Sequence, residues 1–211
     1  MKRLLIFGAG GHAKVAFDCA VCMQKYSTID FMVDGDLTGG IEGHALLSFR
    51  DSSTENIKNA YDEVIVAIGD NRVRLKKSCD FLREGIILAT LIHPSAIVSQ
   101  YANVGVGTVV FAQSVINPFA RVGNACIINT AAVVEHDCIL QDGVHISPGV
   151  LMGGNVRIGE TSWLCIGSRI SNDVEIGSRV VVAAGSVVLH STPNDVMVAG
   201  IPAVIRKKYT E

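Results

Sequence analysis

A branched or long aliphatic residue stands at every sixth position of the chain between residues 92 and 188. The positions are Ile92, Val98, Val104, Val110, Ile116, Val122, Ile128, Val134, Leu140, Ile146, Met152, Ile158, Leu164, Ile170, Ile176, Val182 and Val188. Helices repeat every ~3.6 residues and strands every ~2, so neither element alone produces this period. A six-residue repeat predicts a parallel β-helix, in which the aliphatics point inward and stack between coils.

Two further positions of each hexad are restricted. Position five is small or valine, as at Ala102, Cys126 and Val150. Position two is often glycine or asparagine, which we expect at a tight corner that needs unusual backbone dihedrals. These residues are Gly105, Asn117, Gly123, Asn129, Gly153, Gly159 and Gly177. A single coil cannot bury its aliphatic face, so the repeats are expected to fold as one stack.

The first 91 residues follow a different pattern, in which apolar strands alternate with amphipathic helices. We predict strands at Arg3–Phe7, Ile29–Val33, Tyr61–Ile68 and Ile86–Leu91, helices at Ala13–Met23 and Val73–Glu84, and a flexible connection marked by Gly35, Gly39, Gly40 and Gly43. This alternation predicts a small Rossmann-like α/β domain with a parallel sheet. The sequence therefore predicts two domains, at residues 1–91 and 92–211.

Composition and charge exclude several classes of protein. The 211 residues carry a formal net charge of −2, which argues against a nucleic-acid partner. No run of about 18 apolar residues occurs, so no membrane span is expected. We predict no metal site.

A glycine-rich turn follows the first predicted strand and opens the first helix. Its pattern, Gly8-x-Gly10-x-x-Ala13, is the dinucleotide-binding fingerprint, in which backbone approaches a ligand at a helix N-terminus. The domain is short for a complete dinucleotide fold. A nicotinamide-dependent reductase therefore stays open only as a minor alternative.

Five motifs occur in order along nearly the whole chain. They are GAGGHAKV at 8–15, VAIGDNR at 66–72, HPSA at 93–96, INTAAVVEHDC at 128–138 and AGIPA at 199–203. In this combination the chain resembles the sugar O-acyltransferase family of hexapeptide-repeat acyltransferases. That family includes the bacillosamine-pathway and perosamine N-acetyltransferases and sialic acid O-acetyltransferase. The resemblance implies a left-handed β-helix, a homotrimer, and acetyl-CoA bound between neighbouring coils.

The polar island Glu135-His136-Asp137 interrupts the aliphatic repeat. Acetyl transfer to an amine needs a base, and imidazole titrates near neutral pH. An adjacent carboxylate would fix the tautomer of the ring and raise its basicity. The resemblance implies that His136 is the base and Asp137 the supporting acid. Glu135 stays open as the alternative partner, and a solvated corner histidine as the structural alternative.

The resemblance also implies which residues hold the two substrates. The residues expected to contact acetyl-CoA are His145, across a subunit boundary, Ile166 and Ala184. The residues expected to contact a nucleotide-linked sugar are Gly10, Gly11, His12, Asp34, Gly35 and Gly69. These residues follow the carboxyl ends of predicted strands, where open α/β sheets bind ligands. Some family members carry a second acidic residue in place of Gly35, so the preferred nucleobase or sugar stays open.

The resemblance predicts a cytoplasmic, acetyl-CoA-dependent N-acetyltransferase of bacterial surface glycan synthesis. Its acceptor would be the 4-amino group of a nucleotide-activated amino-deoxy sugar, of the UDP-4-amino-sugar or GDP-perosamine type. Transfer would be direct, with His136 as general base. Two alternatives remain open: O-acetylation of sialic acid or a related sugar, and a non-catalytic trimeric scaffold.

Overall fold

The computed structural model describes residues 1–35, 41 and 43–209, and begins with an α/β unit. Its elements are β1 (Lys2–Phe7), α1 (Gly11–Cys22), β2 (Tyr26–Val33), β3 (Leu46–Ser48), α2 (Thr54–Ala60), β4 (Glu63–Val66) and α3 (Asn71–Arg83). The four strands form a parallel sheet in the order β3-β2-β1-β4. The central strand β1 is almost wholly apolar because both of its faces are covered.

Three of the four strands predicted in this domain are present, and the prediction of the fourth, Ile86–Leu91, is wrong. Residues 86–90 form only one isolated bridge, Val64 with Leu88, and Leu91–Ile92 is already the first β-helix strand. The sequence reading missed β3, which has three residues, and α2, which begins after the N-cap Ser53. Gly39 and Gly40 of the predicted flexible connection lie outside the described residues.

The order of the strands brings the loops after β1 and β4 side by side. The chain passes from one side of β1 to the other between β2 and β4, which is the switch point where α/β sheets bind ligands. Gly8 ends β1 at φ +127°, and a Cβ there would lie 2.6 Å from the carbonyl oxygen of Ala67. Only glycine therefore permits this close approach.

The remaining chain forms a three-sided stack of short strands. Face one contains β5 (Leu91–Ile92), β8 (Val109–Val110), β11 (Ile127–Ile128), β14 (His145–Ile146), β17 (Trp163–Leu164), β20 (Val181–Val182), β22 (Val196–Gly200) and β23 (Ala203–Lys208). Face two contains β6 (Ile97–Val98), β9 (Val115–Ile116), β12 (Val133–Val134), β15 (Leu151–Met152), β18 (Arg169–Ile170) and β21 (Val187–Val188). Face three contains β7 (Asn103–Val104), β10 (Arg121–Val122), β13 (Ile139–Leu140), β16 (Arg157–Ile158) and β19 (Glu175–Ile176).

The predicted parallel β-helix is confirmed by this pairing. Ile127 pairs in parallel with His145, and His145 with Trp163, so one coil takes 18 residues, or three hexads. The repeated aliphatics form one continuous buried cluster from Val110 to Val198. Burial of these side chains is the main stabilising contribution that the repeat supplies.

The prediction that position two of the hexad needs unusual backbone dihedrals is wrong. Left-handed dihedrals occur at position four, as at Gly107, Gln113 and Asp137. The position-two glycines are instead required by contact with the next coil. A Cβ at Gly105 would lie 2.5 Å from the carbonyl carbon of Gly123, and one at Gly159 would lie 2.4 Å from the amide of Ser178.

The α/β unit packs on the early coils of face one. Phe111 and Ile127 of the β-helix share a buried cluster with Leu4 and Ile6 of β1. Arg74 of α3 is 1% exposed, and its guanidinium donates to the carbonyls of Ala125 at 2.8 Å and Gly143 at 2.9 Å. Burial lowers the pKa of Arg74 to about 10. These hydrogen bonds fix the start of α3 against the coils.

Two kinds of feature are absent from the described residues. Within residues 1–35, 41 and 43–209, no helix has the length and apolarity needed to cross a bilayer. The same residues contain no group of three or more His, Cys, Asp or Glu side chains that could hold a metal ion.

Candidate active site

His136 lies at the corner between β12 and β13, where face two meets face three. Its Nδ1 is 2.8 Å from Oδ2 of Asp137, and both side chains are more than half exposed. The hydrogen bond to Asp137 is the main cause that raises the pKa of His136 above its ordinary value. A carboxylate only accepts, so Nδ1 carries the proton and Nε2 keeps its lone pair. The pair can therefore act as an oriented base.

Asp137, rather than Glu135, makes the hydrogen bond to the imidazole of His136. The carboxylate of Glu135 instead accepts weakly from the backbone amide of His136, at 3.3 Å. Asp137 has φ +62°, a left-handed conformation that aspartate tolerates better than most residues. The corner geometry therefore turns the Asp137 side chain back toward the ring that precedes it.

Gly154 lies one coil beyond His136, directly against the imidazole. A Cβ at Gly154 would be 2.6 Å from both Cε1 and Nε2 of the ring. The residue does not have a left-handed φ, and Asn172 occupies the equivalent corner of the next coil. Glycine is thus required here by the ring and not by the backbone. Sequence reasoning missed this position, although the Gly153-Gly154 pair is unusual within the repeat.

His145 lies on face one, at the wall of a cavity of about 560 Å³ between the two domains. Residues 69–72, at the start of α3, line the cavity from the α/β side, and Trp163 lines it from the coils. The rings of His145 and Trp163 stack at 5.9 Å with an 11° interplanar angle. Burial lowers the pKa of His145 to about 3, so the ring is neutral at physiological pH.

The tautomer of His145 follows from its neighbour Asn129. The Oδ1 atom of Asn129 accepts from the amide of Thr130 at 2.8 Å, which orients the side-chain amide. Its Nδ2 then donates to Nε2 of His145 at 3.3 Å. The proton of the neutral ring is therefore on Nδ1, which makes His145 a hydrogen-bond donor through that atom.

The residues expected to form the active site lie in two separate places on the three-sided stack. Ile166 and Ala184 are exposed at the corner between faces one and two, and His145 lies on face one. His136 occupies the corner between faces two and three, on another edge. Within one chain, the structure does not bring His136 together with the three residues expected to contact acetyl-CoA.

The loops of the α/β unit present an open edge. A Cβ added at Gly10, Gly11, Gly35 or Gly69 would meet no atom within 4 Å. Asp34 follows β2 and forms an ion pair with Lys77 of α3 at 3.2 Å. These residues therefore surround space at the carboxyl ends of β1, β2 and β4.

His12, in the first turn of α1, differs from these open positions. Its ring contacts Phe111 of the β-helix with centroids 5.6 Å apart, and its buried Nε2 has no hydrogen-bond partner within the described part of the chain. Burial, followed by the nearby charge of Arg74, lowers the pKa of His12 to about 4. The structure thus directs this ring into the junction between the domains.

Several residues of the interdomain cavity were not predicted from sequence. They are Arg72, Trp163, Arg179 and Tyr209, which come together from distant parts of the chain. A signal existed for Trp163, because it stands one 18-residue coil after His145. Arg72 is the last residue of the motif VAIGDNR, and the motif alone does not predict its place in the cavity.

Comparison with known proteins gives matches to both parts of the chain. The family model of the PglD N-terminal domain matches residues 3–81, and that of the bacterial transferase hexapeptide (six repeats) matches residues 155–190. A histidine-to-asparagine variant of perosamine N-acetyltransferase from Caulobacter crescentus, solved with CoA and GDP-perosamine, is 33% identical. It superposes with a TM-score of 0.92 over 98% of this chain and 97% of that one.

Three further relatives are similar to the whole chain or to part of it. The acetyltransferase domain of PglB from Neisseria gonorrhoeae, solved with acetyl coenzyme A, is 36% identical with a TM-score of 0.89, over 96% of this chain and 98% of that one. GDP-perosamine N-acetyltransferase of Escherichia coli O157:H7 is 27% identical over 85% of this chain and 82% of its own. A serine acetyltransferase of Staphylococcus epidermidis is 34% identical over 44% of this chain. Here the match spans about half of the relative, 48% of its length.

Proposed function

Because the chain belongs to the hexapeptide-repeat family of sugar acyltransferases, we propose that it transfers acetyl from acetyl-CoA to the 4-amino group of a nucleotide-activated amino-deoxy sugar. The acceptor is of the UDP-4-amino-sugar or GDP-perosamine type, and the reaction serves surface glycan synthesis in the bacterial cytoplasm. The observation that carries the proposal is the His136–Asp137 pair. It stands at a corner of a chain that superposes over nearly its full length on a perosamine N-acetyltransferase.

The proposed reaction is a direct transfer. As the sugar amine attacks the thioester carbonyl, Nε2 of His136 takes the proton that the amine loses. The tetrahedral intermediate then collapses, the carbon–sulfur bond breaks, and the proton passes to the sulfur of CoA. No acyl-enzyme is required. Cys126 and Cys138 are buried and burial raises the pKa of both thiols, which makes them poor nucleophiles.

A complete site requires a second copy of the chain. His136 lies at the corner between faces two and three and His145 lies on face one, so acetyl-CoA bound at His145, Ile166 and Ala184 of one subunit would meet His136 of a neighbour. The neutral His145 would donate from Nδ1 to the thioester carbonyl. Face two has an outward apolar stripe that includes Ile97 and Leu151, 67% and 40% exposed. This stripe supports the homotrimer as the assembly.

The two domains take separate tasks in this proposal. Residues 1–91 hold the nucleotide at the open loops that contain Gly10, Gly11, His12, Asp34, Gly35 and Gly69. Residues 92–211 hold acetyl-CoA and supply the base. The open space at these glycines and the interdomain cavity beside Gly69 support this division.

The direct test is the variant His136→Ala. We expect kcat to fall on the order of 10²–10⁴-fold, the effect of losing a general base. His190→Ala is the matched control, because His190 occupies the same corner three coils later and is exposed. CoA release is measured with GDP-perosamine, a UDP-4-amino sugar and CMP-sialic acid. Near-normal turnover by His136→Ala would exclude His136 as the general base. Acetylation of sialic acid alone would favour the O-acetyltransferase function.

Mixed assemblies test the shared site. Co-expressed His136→Ala and His145→Ala chains should regain activity, because some boundaries in the hybrid trimer carry both intact histidines. If each site lies within one chain, mixing restores nothing. Light scattering on the same samples reports the number of subunits.

A further inference from the structure

Two exposed aromatic side chains stand beside the candidate catalytic pair. Tyr101 and Phe119 stack with centroids 5.7 Å apart at an angle of 28°. They are 58% and 60% exposed, so neither ring contributes to the core. Both occupy the corner column that contains Asp137, one and two coils before it. Successive coils are about 4.8 Å apart, which places the stacked rings next to the His136–Asp137 pair.

The backbone at Phe119 is unfavourable for its side chain. Phe119 has φ +64°, in the left-handed region that bulky residues rarely adopt. Equivalent positions with positive φ mostly carry glycine or small and polar residues, namely Gly107, Ala125, Ala131, Asp137, Gly143, Gly149, Asn155, Gly167, Asp173 and Gly185. Phe119 is the one aromatic residue among the described positive-φ corners. Strain that no burial offsets is typical of functional positions.

A groove of about 760 Å³ connects this stack to the catalytic pair. It is lined by Phe119, Arg121, Asp137, Ile139, Asn155 and Arg157. Arg121 and Arg157 are exposed, and within the described ranges the guanidinium group of neither residue makes an ion pair or a hydrogen bond. The groove thus combines an aromatic face with two available guanidinium groups. Aromatic faces stack on the apolar side of sugar rings, and guanidinium groups bind phosphate oxygens.

We propose that Tyr101 and Phe119 form a platform for the sugar ring of the acceptor, with Arg121 and Arg157 holding its diphosphate. This rests on the proposed function and adds the residues that select the acceptor. The level of the platform in the stack favours the acceptor over acetyl-CoA. Tyr101 and Phe119 belong to the early coils, the level at which the α/β unit packs through Phe111, but they lie on the other edge of face two. The nucleotide would therefore be held by the α/β unit of a neighbouring subunit. Ile166 and Ala184 belong to later coils.

The variant Phe119→Asn separates recognition from folding. Asparagine tolerates left-handed φ, so the variant should unfold at the same temperature as the wild type or higher. We expect the affinity for GDP-perosamine, or for a UDP-4-amino sugar, to fall about tenfold in calorimetry. The affinity for GDP or UDP without the sugar, and the KM for acetyl-CoA, should not change. Gln113→Asn, at an exposed corner with φ +59°, is the matched control and should change none of these values.

Arg121→Gln and Arg157→Gln test the second part of the groove. Each should weaken GDP and GDP-perosamine by the same factor, about fivefold to tenfold, and reduce the salt dependence of binding. Arg83→Gln is the control, because Arg83 is exposed on α3 and pairs with Asp80. Its affinity for both ligands should match the wild type.

Four results would overturn the proposal in distinguishable ways. Unchanged nucleotide-sugar affinity in Phe119→Asn would show that the two rings do not bind the sugar, while leaving the proposed function intact. A rise in the KM for acetyl-CoA alone assigns the rings to the coenzyme. Dissociation of the oligomer in Phe119→Asn shows a contact between copies of the chain. A wild type that neither binds nor acetylates the nucleotide sugars removes the proposed function, and the platform with it.

Discussion

Replacing Gly154 by alanine tests whether the position of the His136 imidazole controls kcat. The added Cβ would lie 2.6 Å from Cε1 and Nε2 of His136, whereas ordinary contacts begin at 3.4 Å. The ring must therefore retreat by about 0.8 Å or rotate, which disturbs its 2.8 Å hydrogen bond to Asp137. A misplacement of about 1 Å costs a reaction on the order of 10²-fold. We expect kcat to fall by about that factor with both KM values unchanged.

Stability and a double variant distinguish this effect from a general disturbance. Gly154 lacks a left-handed φ and Asn172 occupies the next equivalent corner, so the melting temperature of Gly154→Ala should stay close to that of the wild type. In a His136→Ala background the substitution should cause no further loss of kcat, because the ring that it displaces is gone. Steady-state kinetics on the four proteins measures this coupling. Normal kcat in Gly154→Ala, or an equal loss in both backgrounds, would refute the reasoning.

Two further predictions concern pH. Because the hydrogen bond to Asp137 raises the pKa of His136, the acidic limb of kcat should have its midpoint above pH 6.5. It should move to lower pH in Asp137→Asn, and an unchanged midpoint would exclude this coupling. His12 and His145 have folded pKa values of about 4 and about 3, so below pH 6.5 the unfolded chain binds protons that the folded chain does not. Stability should fall from pH 6.5 toward pH 4, by roughly 2 kcal/mol per histidine at pH 5. Urea midpoints at pH 7 and pH 5 measure this, and His12→Asn should reduce the loss.

The parts of the fold that depend on local periodicity could be predicted from the amino-acid pattern. The six-residue repeat predicted the β-helix because each inward aliphatic must stack on another in the next coil. The alternation of strands and helices predicted the parallel sheet. The motif Glu135-His136-Asp137 indicated a candidate base within the repeat. The short strand Leu46–Ser48 could not be predicted, since three half-buried residues carry no period.

Which side chains meet across coils and domains depends on the folded chain and could not be predicted from local periodicity. Gly154 touches His136 because residues 18 apart lie one above the other, a contact that the sequence shows only after the coil length is known. The stacking of His145 on Trp163, the burial of His12 against Phe111 and the exposed Phe119 depend on the same folding. A hexad sets which residues point inward. The residues proposed to bind ligands point outward, where the repeat does not dictate the residue type, so only the folded structure shows which of them lie close together.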